Sequence, residues 1–264
     1  CCMNINKLYH LGLALGGGGA RGFVHLGVLQ ALQELGMRPD IISGTSAGAS
    51  VGAMIASGHS PLQCLDFFKR KKIRDFIRPA MSKKGFFTMN NLENELHEFI
   101  GVETFEELKI PLIVTASDIN NARPVHFNRG KLLPAVIASC SIPIVFVPKE
   151  IEGTEYIDGG AFMNLPVRPI RPQCEQVIAV EINSFNTAEK INNMVSMAIR
   201  TFHIGLARNT DIDRVMADIV IAPKDMTQYN VFDLKESWDI FKTGYDLTYQ
   251  LMNKPVSSTF DKHK

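Results

Sequence analysis

The chain has 264 residues, of which 45% are hydrophobic, and a formal net charge of +1. This size predicts one sizeable α/β domain, or a core with an inserted lobe, and the balanced charge gives no nucleic-acid-binding signature. No run approaches the ~18 consecutive apolar residues that a transmembrane helix needs. No signal-peptide pattern opens the chain, so we expect a cytoplasmic protein.

The cysteine pattern argues against disulfides and metal sites. Five cysteines are scattered along the chain: Cys1, Cys2, Cys64, Cys140 and Cys174. Their odd number and spacing predict free thiols in a reducing compartment. Carboxylates and histidines do not cluster at ligand spacing either, so we expect no metal and no cofactor. Residues 1–2 precede Met3 and are expected to be a cloning remnant.

The first elements predict a βαβ unit. Residues 11–15 form a short apolar strand that leads into the loop Gly16-Gly17-Gly18-Gly19-Ala20-Arg21-Gly22. Apolar residues then recur at helical spacing over 23–35, and Gly36 is placed to end the helix. A second strand begins at 40–43, so we expect a parallel sheet with a right-handed crossover.

The second strand meets Gly44-Thr45-Ser46-Ala47-Gly48, the Gly-x-Ser-x-Gly spelling of a nucleophile elbow. Such a turn brings the residues on either side of the serine very close together, and Gly44 and Gly48 have no Cβ to clash there. The helix that follows directs free N–H groups and its positive dipole end at the Ser46 hydroxyl. We therefore place the chemistry at Ser46.

The remaining elements complete one predicted domain over residues 3–252. Residues 60–104 are predicted to form a helical insertion or cap over the sheet. Strands are expected at 110–116, 125–127, 176–182 and 218–222, and helices at 132–139, 188–208 and 234–251. Residues 253–264 are polar and are expected to form a flexible tail.

The glycine loop has two interpretations. Residues 17–22 spell Gly-x-Gly-x-x-Gly, the dinucleotide-binding fingerprint, which needs an acidic residue at the end of the second strand. Asp40 precedes that strand and Ser46 occupies its far end, so a nucleotide-binding module is kept as the alternative. The other interpretation is an oxyanion hole, because loops after parallel strands emerge at the same edge of a sheet. The amides that would then face Ser46 are those of Gly17, Gly18 and Gly19.

A serine nucleophile needs a base, and two candidates stand out. His203 would complete the order Ser46…Asp158…His203 of an α/β-hydrolase triad, although it lies within a predicted helix and that fold takes its histidine from a loop. Asp158 stands at a strand end, followed by Gly159 and Gly160. Burial would raise its pKa above the ordinary ~3.9, so that Asp158 could act as the base through a direct hydrogen bond to the serine. The structural alternative is that Asp158 only forms an Asp-Gly turn.

Four blocks occur together in one order: residues 17–22, residues 44–48, Ala138-Ser139…Pro143…Phe146…Pro148, and Asp158-Gly159-Gly160. In this combination the chain resembles the patatin-like phospholipase family, particularly its small bacterial members, over about residues 11–250. The resemblance implies a three-layer α/β/α sandwich with a mainly parallel central sheet. It also implies a Ser46 nucleophile, an Asp158 base and hydrolysis of lipid acyl esters, of phospholipase or lysophospholipase type, through an acyl-enzyme. Glycines in the oxyanion hole would be Gly17, Gly18 and Gly19, with Arg21, Gly22, Gly44, Gly48, Gly159 and Gly160 in support.

Basic residues bear on the partner of such an enzyme. The stretch 67–87 mixes them with phenylalanines, which is consistent with a cap that contacts anionic lipid or with an ordinary solvated helix. We therefore consider peripheral membrane contact through 67–87. Arg21 lies instead in the glycine loop, where it would add charge near the hole, pin the loop, or form a surface ion pair.

Overall fold

A computed structural model describes residues 7–183, 191–224 and 226–253. Its strands are β1 (Tyr9–Leu15), β2 (Ile41–Thr45), β3 (Arg78–Pro79), β4 (Gly85–Thr88), β5 (Leu112–Asp118), β6 (Arg123–Phe127), β7 (Ile144–Phe146), β8 (Lys149–Ile151), β9 (Thr154–Asp158), β10 (Cys174–Val180) and β11 (Ile219–Ile221). Its α-helices are α1 (Phe23–Glu34), α2 (Ala47–Ala56), α3 (Pro61–Lys69), α4 (Ile73–Phe76), α5 (Asn90–Ile100), α6 (Leu132–Cys140), α7 (Met194–Arg214) and α8 (Ser237–Asn253). The predicted remnant at 1–2 and residues 254–264 of the predicted tail lie outside the described residues, whereas Asn253, the first residue of that tail, ends α8.

The central sheet has the strand order β11-β10-β1-β2-β5-β9-β8, and β6 also pairs with β5. The five strands from β11 to β5 are parallel, whereas β6, β9 and β8 join in antiparallel pairs. Buried apolar residues dominate the parallel strands, as expected where helices cross over both faces. The predicted α/β class with a mainly parallel sheet is confirmed.

Side chains alternate between the two faces of the sheet. Leu13, Leu15 and Ile42 pack under the helical layer, which includes α1, α2, α5, α6 and α8. Ala14 and Ile41 point the other way, into a second cluster with residues 165–170. The outer layer on that side is α7, because the carboxylate of Asp213 accepts hydrogen bonds from the main chain and side chain of Arg168. Helices thus flank the sheet on both sides.

Strand β5 places the ends of two other strands next to each other. Each of its central residues has one partner on either edge: Thr115 pairs with Thr45 of β2 and with β6, and Ala116 pairs with Asp158 of β9 and with β6. Since β6 occupies one edge throughout, β2 and β9 lie end to end along the other. The last residue of β2 and the last residue of β9 are therefore neighbours on β5.

The segment 60–104 differs from its prediction. It contains α3, α4 and α5, but it also contains β3 and β4, which form a small sheet with β7 in the order β3-β4-β7. The expected helices are present, and the two short strands are an addition that the prediction did not include. The run Phe86-Phe87-Thr88 favours a strand, and Gly85 lets the two backbones approach because a Cβ there would lie 2.4 Å from the Phe146 carbonyl carbon.

Helix α7 also differs from its prediction. It begins at Met194 rather than at 188, because Asn193 and Ser196 form a reciprocal capping box at its start. Residues 188–190 of the predicted helix lie outside the described residues. Among the helices in the described ranges, none has the length and apolar character needed to cross a bilayer.

Candidate active site

Ser46 occupies a sharp turn between β2 and α2. Its backbone has φ 53° and ψ −120°, a strained conformation for a residue with a side chain, and the residue is 6% exposed. A Cβ on Gly44 would lie 2.4 Å from the Gly48 carbonyl oxygen, and a Cβ on Gly48 would lie 2.1 Å from that of Leu15. Glycine is therefore required at both positions, and the predicted elbow geometry is present.

The Ser139 side chain is hydrogen-bonded to the elbow. The Ser46 N–H donates to the Ser139 Oγ at 2.8 Å, and the Ser139 hydroxyl donates to the Thr115 carbonyl at 2.6 Å. All three residues are buried. Through these two hydrogen bonds Ser139 connects the elbow to β5, the strand that pairs with the Asp158 end of β9. The sequence offered a motif position for Ser139 but no role.

Asp158 ends β9 in a buried position, with 3% of its surface exposed. Burial raises the pKa of its carboxyl group to about 6, while the Ser46 hydroxyl and the Gly160 N–H stabilise the carboxylate and act in the opposite direction. The Gly160 N–H donates to the Asp158 Oδ1 at 2.7 Å. A Cβ on Gly159 would lie 2.1 Å from the Thr115 oxygen, so glycine is needed for β9 to end there. The predicted pair of Ser46 and Asp158 is brought together.

Some backbone N–H groups of the glycine loop donate hydrogen bonds within the protein and others do not. The Gly17 N–H donates to the Asn164 carbonyl at 3.1 Å, so it is not available to an oxyanion. Within the described part of the chain, the N–H groups of Gly18 and Gly19 have no protein acceptor. The buried His25 donates from Nε2 to the Gly16 carbonyl at 2.7 Å, and burial lowers its pKa to about 4, which keeps the imidazole neutral. These contacts fix the base of the loop.

Arg21 pins a second segment to this loop. It is buried, and its Nε donates to the Tyr229 carbonyl at 3.2 Å and its Nη1 to the Asn183 Oδ1 at 3.4 Å. The Ala20 N–H donates to the Val231 carbonyl at 2.8 Å. Arg21 is therefore buried rather than at the surface, and its hydrogen bonds connect the glycine loop to residues 183 and 229. Gly22 packs beside it, where a Cβ would lie 3.0 Å from the Ala47 Cβ.

Two cavities meet at Ser46. The first, which we call the cap chamber, lies between α2 and the 60–104 segment and has a volume of about 840 Å³ including its open mouth. The second, which we call the α7 cleft, has about 520 Å³ on the same measure. Both are bordered by Gly19, Ser46, Ile142, Val231 and Phe232.

His203 and Asp40 bear on the two alternative interpretations. His203 lies on α7 and lines the α7 cleft together with Ser46 and Asp158. Asp40 instead accepts a hydrogen bond from the Leu11 N–H, at the opposite edge of the sheet from the glycine loop. The acid that a dinucleotide site would need therefore does not reach this loop, whereas the histidine of a triad would be near the elbow.

The sequence model described as "Patatin-like phospholipase" matches residues 13–171. The chain belongs to the patatin-like phospholipase family. All four motif blocks lie inside the matched range. The family match therefore includes every segment that forms the candidate site: the glycine loop, the elbow, α6 and the turn at Asp158.

Relatives agree on the family but are longer than this chain. An uncharacterized NTE family protein of Mycobacterium bovis is 34% identical over 216 residues, which cover 75% of this chain and 59% of that protein. Lysophospholipase NTE1 of Saccharomyces cerevisiae is 24% identical over 271 residues, which cover 89% of this chain and 16% of that protein. The chain thus covers less than two thirds of the length of each of these relatives.

A solved structure shares the fold. VipD from Legionella pneumophila superposes with a TM-score of 0.55 and 17% identity, over 92% of this chain and 66% of that one. At this identity the likeness concerns the fold.

Several polar residues of the site escaped sequence reasoning. The main-chain carbonyl of Asn164 accepts the hydrogen bond of the Gly17 N–H. The Cys140 thiol lies 3.4 Å from the hydroxyl of Ser50, which lines the same chamber as Ser46. Burial raises the pKa of Cys140 to about 12, so the thiol is protonated. Cys64, Cys140 and Cys174 are free thiols, as predicted. No spacing rule links Asn164 to the loop, because the contact depends on how the irregular segment after β9 folds back.

Proposed function

We propose that this protein is a serine acyl hydrolase that cleaves carboxylic esters of lipids through a Ser46–Asp158 dyad. One observation carries the proposal: β2 and β9 lie end to end along β5, so that the strained Ser46 after β2 lies beside the buried carboxylate of Asp158, whose pKa is raised to about 6. A base of that pKa is ionised at neutral pH and still able to accept a proton.

In the acylation step, Asp158 takes the proton from the Ser46 Oγ as that oxygen attacks the ester carbonyl. The negative charge moves to the carbonyl oxygen, which the free N–H groups of Gly18 and Gly19 would receive. Loss of one such donor typically costs ~10²–10³ in rate. When the tetrahedral intermediate collapses, the carbon–oxygen bond of the ester breaks and the alcohol leaves with the proton held by Asp158.

In the deacylation step, water replaces the alcohol. Asp158 removes a proton from the water as it attacks the acyl-enzyme, and the proton then returns to the Ser46 Oγ as the carboxylic acid leaves. The same carboxylate therefore acts twice as a base and twice as an acid. Asp158 remains fixed by the Gly160 N–H throughout, so each transfer occurs along one preset direction.

Lipid esters are the substrates that the family supports. The yeast relative is named a lysophospholipase, which favours a phospholipid with one acyl chain. We therefore propose monoacyl phospholipids as the substrates to test first. A triad that includes His203 is the competing mechanism, since that residue lines the same cleft.

The decisive experiment combines labelling with hydrolysis. A fluorophosphonate probe should label the wild-type protein, and Ser46→Ala should abolish both labelling and hydrolysis of p-nitrophenyl esters and lysophosphatidylcholine. Ser57→Ala is a matched control, because Ser57 is buried at the other end of α2, where its hydroxyl bonds to Met54. An unlabelled wild-type protein, or a Ser46→Ala variant with wild-type hydrolysis, would reject the serine mechanism.

We also propose that the basic residues of 67–87 contact anionic lipid. Phe68 and Phe76 turn inward and line the cap chamber, whereas the charges outside it are exposed. Lys71 pairs with Glu95 and Lys84 pairs with Glu155. Exposed basic residues in this stretch include Arg70, Lys72, Arg74, Arg78 and Lys83. Each basic residue near an anionic surface contributes ~1 kcal/mol, so four of them together would produce measurable binding.

Vesicle binding tests this contact separately from catalysis. Replacing Arg70, Lys72, Arg74 and Arg78 with Gln should weaken sedimentation with phosphatidylserine vesicles and leave hydrolysis of a soluble ester near the wild-type rate. A control variant removes four exposed charges elsewhere: Arg38, Lys109, Arg129 and Lys131. Equal loss of binding in both variants would indicate a general charge effect, and unchanged binding would remove the proposal.

A further inference from the structure

The cap chamber has an apolar lining that begins at the nucleophile candidate. Ser46, Ser50 and Cys140 supply its polar side-chain atoms, and the other lining residues are apolar or glycine. A lining of this kind gains free energy from burying hydrocarbon and offers almost nothing to a charged headgroup.

One wall of the chamber runs along α2. Ser46, Ala47, Ser50 and Val51 all line it, and they lie on one side of the helix and its N-terminal turn. Because an α-helix rises ~1.5 Å per residue, Val51 lies about 7–8 Å along the axis from Ser46. A chain bonded to the Ser46 Oγ and lying along this wall would therefore pass Val51.

The opposite wall comes from the cap and consists of packed rings and aliphatic side chains. Phe68 and Phe76 have ring centroids 5.9 Å apart, and Phe68 also packs against Phe23 at 5.6 Å. Ile73 and Ile77 flank them. This wall belongs to α3, α4 and the turn after α4, none of which contributes to the central sheet.

The α7 cleft, on the other side of Ser46, has a different chemistry. Its lining includes the polar side chains of Asp158, Asn164, Asn183 and His203 as well as apolar residues of α7. It also contains the Gly18 backbone, one of the two free amides. Groups that leave with a proton from Asp158 would depart on this side, because the carboxylate itself lines the cleft.

We propose that the cap chamber binds the acyl chain of the ester and that the α7 cleft receives the alcohol part, so that chamber depth sets the preferred acyl length. The inference rests on the proposed serine hydrolase function and adds the direction in which the substrate lies. It follows that Val51 and Ile77 determine acyl-chain specificity without taking part in the chemistry.

Chain-length profiles of p-nitrophenyl acetate, butyrate, octanoate and palmitate test this assignment. In the wild-type protein kcat/KM should rise from acetate to octanoate. Val51→Phe should lower the octanoate-to-acetate ratio by about tenfold or more, because small volume changes in an apolar pocket have effects of that size. Val215→Phe is the matched control, since Val215 is 83% exposed at the end of α7 and should leave the profile unchanged.

Two further variants keep the test conclusive. Ile77→Trp fills the chamber from the cap side, so it replaces Val51→Phe if that variant has lost its native circular dichroism. Ile199→Phe narrows the α7 cleft instead, and it should lower the rate on lysophosphatidylcholine relative to p-nitrophenyl octanoate without changing the octanoate-to-acetate ratio.

The outcomes separate the two levels of the proposal. If hydrolysis depends on Ser46 but the profile is flat, or is unchanged in the folded chamber variants, the chamber assignment is wrong while the hydrolase proposal stands. A ratio lowered by Ile199→Phe as much as by Val51→Phe would place the acyl chain in the α7 cleft. If hydrolysis persists in Ser46→Ala, the serine hydrolase proposal itself is wrong.

Discussion

Two buried aspartates end the neighbouring strands β5 and β9, and they are in opposite electrostatic situations. Asp118 accepts hydrogen bonds from the Asn120 and Asn121 main-chain N–H groups, the Asn121 amide and Arg123. These donors, the Asn121 side chain foremost, lower the pKa of its carboxyl group. Asp158 has the Gly160 N–H and the Ser46 hydroxyl instead, and burial raises its pKa to about 6.

The difference teaches how the fold makes a base from an ordinary carboxylate. A buried carboxylate surrounded by donors is a structural anion, because any proton it accepted would cost it those hydrogen bonds. Asp158 has fewer donors, and one of them carries the proton that the reaction must move. The sequences Asp118-Ile119-Asn120-Asn121 and Asp158-Gly159-Gly160 differ in this respect, since the second offers no side-chain amide.

The largest expected effect comes from changing each carboxylate to an amide. Asp158→Asn should reduce kcat/KM for p-nitrophenyl butyrate by about 10²–10⁴-fold, the usual contribution of a general base. Asp118→Asn should leave kcat/KM near the wild-type value. It should lower Tm by about 2–4 °C, the change expected when a chain of this size loses ~1 kcal/mol in its free energy of unfolding. Wild-type hydrolysis by Asp158→Asn would remove the dyad.

The second prediction concerns the pH dependence of the rate. Because Asp158 must be ionised to accept the serine proton, kcat/KM should rise with pH up to an apparent pKa of about 6 and then level off. Asp118→Asn should show the same acidic limb. The measurement is initial-rate kinetics on a soluble ester across the pH range, and a profile without an acidic limb near this pH would contradict the role of Asp158.

The third prediction concerns stability, where the two aspartates should have opposite signs. For Asp158, the native state keeps a proton between pH 3.8 and about 6 that the unfolded chain has released, so stability falls as pH rises through this window. The loss above it is on the order of 3 kcal/mol. Asp158→Asn should therefore gain Tm over the wild type as pH rises from 4 to 7, about the window set by these pKa values.

Asp118 provides the contrast within the same scan. Its lowered pKa contributes stability that is present above its ordinary pKa and is lost as pH falls through the folded value. The difference between wild type and Asp118→Asn should therefore shrink on acidification. A calorimetric scan in which the Tm of Asp158→Asn does not rise relative to the wild type at neutral pH would show that burial does not raise the pKa of Asp158 as predicted.

The smallest effect is expected at His203. If Asp158 works directly on Ser46, His203→Ala should reduce kcat/KM by less than about tenfold, mainly through the altered cleft wall. Phe202→Ala, one residue earlier in the same lining, controls for loss of packing. A triad would instead make His203→Ala as damaging as Asp158→Asn, and the dyad would then be incomplete.

The sequence was most informative where one pattern lies within one stretch. The strand, glycine loop, helix and second strand over 11–45 follow from apolar spacing and glycine positions, and the elbow follows from its pentapeptide. Asp158 was singled out by its strand-end position, and its pairing with Ser46 came from four motif blocks in family order. Spacing alone could not provide it, because the two residues meet only through their common neighbour β5.

Other features depend on contacts that no local pattern encodes. The strands β3 and β4 are very short: β3 pairs with β4, and β4 pairs with β7, about 60 residues further along the chain. The occupied Gly17 amide depends on the path of the segment around Asn164. The start of α7 was missed because the apolar pattern continues upstream of the Asn193 cap.

The reacting groups and the opposite wall of the cap chamber belong to different parts of the fold, and this separation has an evolutionary consequence. The elbow and Asp158 lie where β2 and β9 pair with adjacent residues of β5, whereas the wall opposite α2 belongs to an inserted stretch that the central sheet does not need for its own pairing. Substitutions can therefore accumulate in the insertion and change which molecules are accepted while bond cleavage is preserved. Laboratory diversification of this protein should begin at positions 68–77 and leave the register of β9 untouched.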